Sequence, residues 1–446
     1  PPIEILHITQ EIEKELGRTK NIMKKVVKFG GSSLASAKQF KKVGDIIRAD
    51  KSRRYVVPSA PGKRNQNDTK VTDMLYACYE AASTGASYGK LLSAIKERYE
   101  QIIDGLELNL NLDYEFKTIE ENFIAKKGSD YAASRGEYLN GIIISHYLGY
   151  EFIDAAEVIF CDENGTFLSE KTNEELSERL AHTERAVIPG FYGSNPDGTI
   201  HTFSRGGSDI TGSIVARAIH ADLYENWTDV SGFLVTDPRI VENPVPIETI
   251  TYKELRELAY MGASVLHEDA IFPVRREGIP INIRNTNKPE DPGTLIVENT
   301  CRKPKYTITG IAGKTGFCSV TIEKAMMNSE IGFGRKVLGV FEDCGISFEH
   351  MPSGIDTMTI FVHQSEFEQH EQFVISNIHR AVQPDSIELE SDLALIAVVG
   401  RGMKSTRGTA GRIFSALAHA RINVKMIDQG SSELNIIIGV KNADFE

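Results

Sequence analysis

The chain has 446 residues, 41% of them apolar, which is enough to fill the cores of about three domains. Its 62 acidic residues outnumber the 50 basic ones, and the formal charge of -12 argues against nucleic acid or an anionic membrane surface as a partner. A small-molecule partner is expected instead.

The five cysteines show no CxxC pair and no neighbouring histidines at metal-ligand spacing. They are expected to be reduced core residues, and no protein metal site is predicted. The sequence contains no run of about eighteen apolar residues and no basic-then-apolar signal at its start. We therefore expect a cytoplasmic protein that does not span a membrane.

Residues 1–22 are polar and of mixed charge, and Met23 is followed at once by a strand-like run. We expect these residues to be an N-terminal extension or leader, with Met23 as a candidate natural start. Lys25–Phe29 is predicted to be a buried strand, and residues 30–33 form a glycine turn. The apolar period that follows predicts a helix.

Strands and helices continue to alternate up to residue 285. A second strand at 55–57 ends in the turn 58–62, and a helical pattern starts at Val71. This alternation is typical of an α/β sandwich with a largely parallel central sheet. Between residues 285 and 305 three prolines stand among polar residues, so the main domain boundary is expected there.

Beyond that boundary lies an internal repeat, in which VLGVFEDCGISFEHMPSGIDTMTIFV aligns with IFSALAHARINVKMIDQGSSELNIIIGV. Ile346 falls on Ile422 and Ile360 on Ile436, both at a separation of 76 residues. We therefore predict two related α+β modules. The second copy shows no closing strand of its own, and the upstream segment YTITGIA is a candidate for it.

Two glycine turns carry residues suited to phosphate chemistry. In VKFGGSS, Gly30 and Gly31 permit close backbone approach and Lys28 supplies a charge; the structural alternative is a tight turn with a solvated lysine. In FSRGGSDITG, Arg205 and Asp209 flank a turn that opens a helix, whose free amides make an anion site. Helix capping is the alternative there.

A third feature is Glu137 in SRGEYLNG, inside a helical pattern and beside small residues that would let a ligand approach. A lone helix glutamate is usually solvated, which is the structural alternative.

Seven segments in order resemble those of aspartate kinases: VVKFGGSSLA, VVPSAPGK, VTDML, SRGE, FSRGGSDITG, WTDVSGFLVTDPR and DPGTLI. The resemblance extends from Met23 onward. It implies the amino-acid kinase fold, a three-layer α/β sandwich with a mostly parallel central sheet, followed by two α+β ACT modules of ferredoxin-like topology. It also implies that the first ACT module is inserted within the second.

On this resemblance the chain is divided as follows: a kinase domain over 23–298, a linker and a strand of the second ACT module over 299–314, the first ACT module over 315–388, and a C-terminally incomplete second module over 389–446.

The resemblance implies in-line transfer of the γ-phosphoryl group of ATP to the β-carboxylate of L-aspartate, the first step of the aspartate pathway. That carboxylate is already ionised at neutral pH, so no general base is required. The expected catalytic residues are Lys28 and Asp209. The expected aspartate contacts are Ser59, Thr72, Glu137 and Arg205. The expected nucleotide contacts are Lys28, Gly30, Gly31, Ser32, Thr228, Asp229, Thr236, Asp237 and Arg239. Mg2+ is implied as the partner of ATP.

One segment departs from the family, which usually has FGAKVLHP where this chain has MGASVLHE. Ser264 replaces the familiar lysine and Glu268 the proline, so a second phosphate-binding cation is missing from its usual place. Arg239, ordered water and Mg2+ are candidates for its role. His267 is expected to be a packed helix residue without a catalytic role.

Effector amino acids bind ACT modules at module interfaces, and the resemblance implies contacts at Met327, Ser347, Glu349, Ser353 and Gly354. Glu349 is a candidate partner for a ligand ammonium, and a glutamate facing solvent is the alternative. Inhibition by lysine, with or without threonine, is expected. The expected assembly is a homodimer or a dimer of dimers.

Three other functions compete with this interpretation. A kinase acting on glutamate or acetylglutamate would share the glycine turns, but the paired C-terminal modules and the combination of KFGGSS with SRGGSD argue against it. A non-catalytic amino-acid sensor would explain Ser264 but not the retained Lys28, Glu137, Arg205 and Asp209. A fused homoserine dehydrogenase would need a second glycine fingerprint, and none follows the repeat.

Overall fold

The computed structural model describes residues 23–204, 206–262, 266, 270–300 and 304–446. The chain divides into two compact units: the first comprises the residues up to Ser231 with Leu266–Leu295, and the second Gly232–Val265 with Ile296–Glu446. The expected boundary near residue 298 differs from this division, because residues such as Val235 bond to the C-terminal part. The amide of Ile311 donates to the Val235 carbonyl at 2.7 Å.

The strands of the described residues are β1 (Lys25–Phe29), β2 (Arg53–Pro58), β3 (Glu151–Phe152), β4 (Ala186–Val187), β5 (Tyr192–Ser194), β6 (Ile200–Thr202), β7 (Leu223–Thr228), β8 (Thr249–Thr251), β9 (Ile281–Asn285), β10 (Thr294–Val297), β11 (Gly310–Glu323), β12 (Phe348–His350), β13 (Thr357–His363), β14 (Ser386–Val399), β15 (Met426–Asp428) and β16 (Asn435–Lys441).

The α-helices are α1 (Ala37–Arg48), α2 (Val71–Thr84), α3 (Gly89–Gly105), α4 (Asp113–Ile124), α5 (Ser129–Leu148), α6 (Ala155–Val158), α7 (Ser169–Ala181), α8 (Gly207–Ala218), α9 (Tyr252–Tyr260), α10 (Phe272–Arg276), α11 (Phe333–Asp343), α12 (Gln364–Phe367), α13 (Glu371–Val382) and α14 (Thr409–His419). In the part of the chain that the structure describes, no helix has the length and apolar character needed to cross a membrane.

A largely parallel sheet forms the centre of the first unit, with strands in the order β3-β4-β2-β1-β7-β9-β10, and its neighbouring strands from β3 to β9 are parallel. Strand β1 is parallel to both β2 and β7, and Lys28 is paired with Val57 on one side and with Asn226 on the other. Helix α5 packs against β2, β3 and β4, and α8 packs against β1, β2 and β7. This confirms the predicted sandwich with a largely parallel sheet.

Side chains of β1 alternate between the two faces of this sheet. Val27 and Phe29 join the large apolar core formed with helices α1 to α5. Lys28 therefore points to the opposite face, where α8 packs. The alternation places the charged side chain of Lys28 near the carboxyl end of the strand, on the face opposite Val27 and Phe29.

The second unit contains a sheet with the order β12-β13-β11-β14-β16-β15. Its central strands β11 and β14 have 14 residues each and are antiparallel. Residues 310–315 of β11 pair with 394–399 of β14, and residues 319–323 pair with 386–390. Each long strand thus serves both repeated modules, and the segment YTITGIA runs into the first half of β11.

The repeat is visible in the structure, with one correction. Helices α11 and α14 are separated by the predicted 76 residues. In the ladders, however, Val320 pairs with Ile360, whereas its equivalent Ile396 pairs with Ile438. The alignment of Ile360 with Ile436 is therefore wrong by two residues. An even shift keeps each side chain on the same face of the sheet, so the apolar pattern could not reveal it.

Candidate active site

Lys28 is the charged residue at the carboxyl end of β1, and it is only 8% exposed. Its Nζ lies 2.5 Å from Oδ1 of Asp209 and 3.5 Å from Oδ1 of Asn226. Asn226 donates from Nδ2 to the same Asp209 oxygen at 2.8 Å. Lys28 is therefore not the solvated lysine of the structural alternative, because a fixed polar network holds its ammonium group.

Asp209 lies in the first turn of α8. The residue before this helix, Gly206, has a φ of +61°, in the left-handed region that glycine adopts readily. The carboxylate of Asp209 bonds to Lys28 and Asn226, so it belongs to the charge network. Arg205, the other residue predicted at this turn, lies outside the described residues.

The turn that follows β1 touches the turn that follows β2. The amide of Gly62 donates to the carbonyl of Gly31 at 2.8 Å. A Cβ on Gly31 would lie 2.9 Å from the Ala60 carbonyl oxygen, and a Cβ on Gly62 would lie 2.6 Å from the carbonyl carbon of Gly31. Glycine is therefore required on both sides of this contact.

Gly30 cannot offer its backbone amide to a phosphate without losing a bond within the fold. Its amide donates to the carbonyl of Trp227 at 2.9 Å, so that amide is already used inside the fold. The amides of Gly31 and Ser32 open the short 3-10 helix Gly31–Leu34, where the first amides of a helix lack internal acceptors. A Cβ on Gly30 would lie 3.6 Å from Lys28 Nζ, in van der Waals contact, so the backbone of Gly30 passes close to the ammonium group.

Glu137 lies in α5 and is 6% exposed. The amide of Ala60 donates to its carboxylate, but Oε2 has no hydrogen-bond partner among the residues that the structure describes. Burial raises the pKa of Glu137 to about 8, against the opposing effects of backbone amides and of the charges on Arg135 and Lys28. Glu137 is therefore not the solvated glutamate of the structural alternative.

The other predicted aspartate contacts lie on neighbouring elements. The amide of Ser59 donates to the Phe29 carbonyl at 3.0 Å. The Ser59 carbonyl accepts a bond of 2.7 Å from Nδ2 of Asn140. Thr72 is half-buried in the first turn of α2. Ser59 and Ala60, whose amide donates to Glu137, directly follow β2, so Ser59 and the Glu137 carboxylate lie at the carboxyl end of that strand.

Two buried amides were missed by the sequence analysis. Asn226 joins Lys28 to Asp209, and Asn140 holds the Ser59 turn. Each carried a signal: Asn226 stands in an otherwise strand-like run, and Asn140 follows Glu137 by three residues, the spacing of one helix face.

The predicted nucleotide residues fall in both units. Thr228 ends β7 and its hydroxyl is 3.2 Å from Oδ1 of the exposed Asp229. Thr236, Asp237 and Arg239 belong to the second unit, where the Arg239 guanidinium donates to Asp237 at 2.6 Å.

Ser264, His267 and Glu268 lie outside the described residues. Within the described ranges, no group of three or more His, Cys, Asp or Glu side chains could hold a metal ion.

Four of the predicted effector residues lie on turns of the first repeated module. Met327 is buried in the turn Met327–Ser329, and Ser347, Ser353 and Gly354 are exposed.

Glu349 does not face solvent as the structural alternative held. Its side chain is 4% exposed, its Oε1 lies 3.2 Å from Nε2 of His363, and the Tyr260 hydroxyl donates to its carboxylate. The solvent-facing alternative for Glu349 is therefore wrong, because two side chains of the fold already surround the carboxylate.

Comparison with known proteins identifies the family of the chain. Residues 23–285 match the amino acid kinase family, and residues 396–446 match an ACT domain. The chain is 42% identical to aspartokinase 3 of Bacillus subtilis over 441 residues, which cover 94% of this chain and 96% of that protein. The chain belongs to the aspartate kinase family. It is a phosphotransferase, and the predicted amino-acid kinase fold with C-terminal ACT modules is confirmed.

Solved structures of related kinases extend the likeness over the same share of the chain. Clostridium acetobutylicum aspartate kinase, described as an allosteric enzyme, is 52% identical, with a TM-score of 0.85 over 94% of this chain and 96% of that one. Escherichia coli aspartokinase III is 25% identical in two complexes. The TM-score is 0.70 with aspartate and ADP bound (R-state), covering 94% of this chain and 97% of that one. The TM-score is 0.68 for the complex with lysine and aspartate (T-state), covering 94% of this chain and 96% of that one.

Proposed function

We propose that this kinase transfers the γ-phosphoryl group of ATP to the β-carboxylate of L-aspartate, giving 4-phospho-L-aspartate and ADP. This would be the first step of the aspartate pathway to lysine, threonine, methionine and isoleucine. The observation that carries the proposal is the Lys28 ammonium group, held 2.5 Å from Asp209 beside an open glycine turn. The E. coli relative has been solved in complex with aspartate and ADP, which supports aspartate and an adenine nucleotide as the ligands of this chain.

In this proposal the phosphates lie on the turn after β1. The amides of Gly31 and Ser32 donate to phosphate oxygens, and Lys28 balances the charge that spreads over the transferred group. Gly30 is not assigned an amide contact, because the Trp227 carbonyl occupies its amide. Asp209 and Asn226 hold the ammonium group in place. Mg2+ is taken to enter as part of the MgATP substrate, where it would supply positive charge to the phosphates.

L-aspartate is placed against Glu137. Its α-ammonium group would supply the cationic partner that the buried carboxylate lacks among the described residues. Ser59 and Thr72 complete this side, and Arg205 is assigned to the α-carboxylate. The β-carboxylate attacks in line and needs no base, because it is ionised at neutral pH.

The adenosine part is assigned, on the resemblance to the family motif, to Thr228, Asp229, Thr236, Asp237 and Arg239. Arg239 is already bonded to Asp237, so it would reach a phosphate only by exchanging that partner. We assign it to the nucleotide on the family motif alone.

Regulation by lysine, with or without threonine, completes the proposal. The E. coli relative has been solved with lysine and aspartate bound, which supports lysine as an effector. The proposed contacts are Met327, Ser347, Glu349, Ser353 and Gly354. A ligand ammonium at Glu349 would compete with His363 and Tyr260. We propose a homodimer or a dimer of dimers in the cytoplasm.

The test is ADP formation from MgATP with and without L-aspartate. Aspartate-dependent turnover is expected, with inhibition by lysine or threonine at millimolar concentration. Turnover with glutamate or acetylglutamate but not aspartate would reject the substrate, and no turnover with any of them would reject the catalytic proposal. Insensitivity to lysine and threonine would reject the regulatory part alone.

A further inference from the structure

Arg98 is a buried cation that none of the roles above uses. It lies in α3 and is 3% exposed. Ile95 and Ile102, which share its helix face, belong to the apolar core of the first unit, as does the adjacent Tyr99. A guanidinium group on such a face requires specific partners, because an unpaired buried charge is strongly destabilising.

Three separate segments of the chain supply those partners. Nη1 of Arg98 donates to Oδ2 of Asp68 at 2.7 Å. Nη2 donates to the carbonyl oxygens of Gly62 at 2.6 Å and Ala35 at 3.3 Å. Ala35 directly follows the short helix Gly31–Leu34, whose first amides are proposed to bind phosphate. One side chain therefore connects the phosphate turn, the turn after β2 and the segment before α2.

These bonds lie beside the contact between the two proposed substrate turns. Gly31 and Gly62 are joined by the 2.8 Å backbone bond, and neither position has room for a Cβ. The Gly62 carbonyl held by Arg98 belongs to the same residue whose amide holds Gly31. Any relaxation of Arg98 would therefore change the separation between the phosphate turn and the Ser59 turn.

The third partner, Asp68, is itself fixed. It accepts bonds from the backbone amide of Arg64 at 2.8 Å and from the Arg64 guanidinium at 2.9 Å. The bond from the Arg64 side chain, assisted by Arg98, holds the pKa of Asp68 well below its usual range despite the opposing effect of burial. Asp68 therefore favours its ionised form, and its carboxylate anchors one side of the Arg98 guanidinium group.

We propose that Arg98 is a positioning residue for phosphoryl transfer, which fixes the phosphate turn relative to the aspartate turn without contacting either substrate. The inference rests on the proposed function. A lysine cannot replace it, because a single ammonium group cannot reproduce the planar fork that reaches two carbonyls and a carboxylate. A displacement of about 1 Å between reacting groups can cost roughly a hundredfold in rate.

The test compares Arg98→Lys and Arg98→Met with Arg217→Lys and Arg217→Met. Arg217 is a matched control, since it is 7% exposed and its guanidinium donates to Ser169 and Glu170 at the far end of α8. Thermal stability should fall at both sites. The Arg98 variants alone should raise KM for MgATP and lower kcat/KM by roughly a hundredfold. Equal kinetic changes at the two sites for equal losses in Tm would overturn the proposal.

Two further measurements keep the test decisive. Guanidinium ion at low millimolar concentration should restore the kcat/KM of the Arg98→Ala variant, whereas methylammonium should not. Failure of this rescue in a folded variant contradicts the positioning role.

If the Arg98 variants do not fold, Asp68→Asn keeps the guanidinium group of Arg98 but removes the carboxylate that it binds, and should lower kcat/KM by a smaller factor. Wild-type kinetics in that variant would overturn the proposal.

Failure of the proposed function would be recognised separately. If the unmodified enzyme forms no ADP with aspartate, equilibrium binding of MgATP to the same four variants still tests whether Arg98 keeps the phosphate turn able to bind nucleotide. Weaker binding in the Arg98 pair than in the Arg217 pair supports the positioning role, and equal binding rejects it.

Discussion

Two buried glutamates, one in each unit, are satisfied in opposite ways. Glu254 in α9 is fully buried and accepts bonds from the amide and hydroxyl of Thr251, the Thr309 hydroxyl, and the amide and guanidinium of Arg401. Burial alone would raise the pKa of Glu254, but these donors outweigh it and hold that pKa below its usual value. The hydrogen-bond donors of the fold therefore stabilise the ionised form of Glu254.

Glu137 is almost as deeply buried but has a pKa raised to about 8 and one oxygen without a partner among the described residues. Under the proposed function, this difference separates a structural carboxylate from a ligand-binding one. A structural carboxylate accepts hydrogen bonds from donors within the fold. A binding carboxylate lacks some of these donors in the free protein, and the ligand supplies them.

The largest expected effect concerns Lys28, whose charge opposes the rise in the pKa of Glu137. Lys28→Met should lower kcat by roughly a thousandfold, because a preorganised charge on the transferred group is lost. Lys25→Met is the control in the same strand, since Lys25 pairs with Asp50 at 2.8 Å at the other end of β1. It should lower Tm and leave kcat unchanged. Steady-state assays that find equal losses of kcat would contradict the assignment of Lys28.

Glu137→Gln comes next. The glutamine keeps the shape of the side chain but loses the charge opposite the substrate ammonium, so KM for aspartate should rise about a hundredfold. Tm should not fall, because a buried carboxylate with an unpartnered oxygen is removed. An unchanged KM for aspartate, measured at saturating MgATP, would show that the ammonium group binds elsewhere.

Glu254→Gln should show the reverse pattern. The amide group of glutamine would face donors instead of acceptors, which should lower the free energy of unfolding by about 2 kcal/mol. KM for aspartate should remain at the wild-type value. Chemical denaturation measures the free energy of unfolding, and steady-state kinetics on the same preparation measure KM for aspartate. A variant with unchanged stability and an altered KM would contradict the structural role of Glu254.

The smallest expected effect is the pH dependence. Because the pKa of Glu137 in the free enzyme is raised to about 8, aspartate must bind to a minor ionised form at neutral pH. kcat/KM for aspartate should rise about tenfold per unit as pH increases below 8 and level off above it. Glu137→Gln should abolish this rise, and a profile unchanged by the substitution would assign the titration to another group.

The pKa shifts of Glu137 and Glu254 predict opposite pH dependences of the free energy of unfolding. The pKa of Glu137 is higher folded than unfolded, so its contribution is fully present in acid and is lost as pH rises toward 8. The pKa of Glu254 is lower folded than unfolded, so its contribution is present at neutral pH and is lost as pH falls through the folded value.

Much of the fold could be predicted because it depends on local pattern. The bounds of β1 and the starts of α2 and α8 follow from apolar runs and from glycine or polar turns. The alternation of strands and helices indicated a parallel sheet, and the family motifs indicated Lys28, Glu137 and Asp209. The two-residue error in the repeat arose because an even shift leaves the apolar pattern unchanged.

The sequence by itself determined the elements, the glycine turns and the charged residues at the ends of strands, since each depends on neighbours within a few positions. Only the tertiary structure decided that the Gly30 amide is already used, that Asn226 joins Lys28 to Asp209, and that Glu349 is enclosed by His363. These outcomes depend on partners that folding brings together from distant parts of the chain. Arg98 shows the same limit, because an arginine in an apolar helix face acquires its role only from the loops that fold over it.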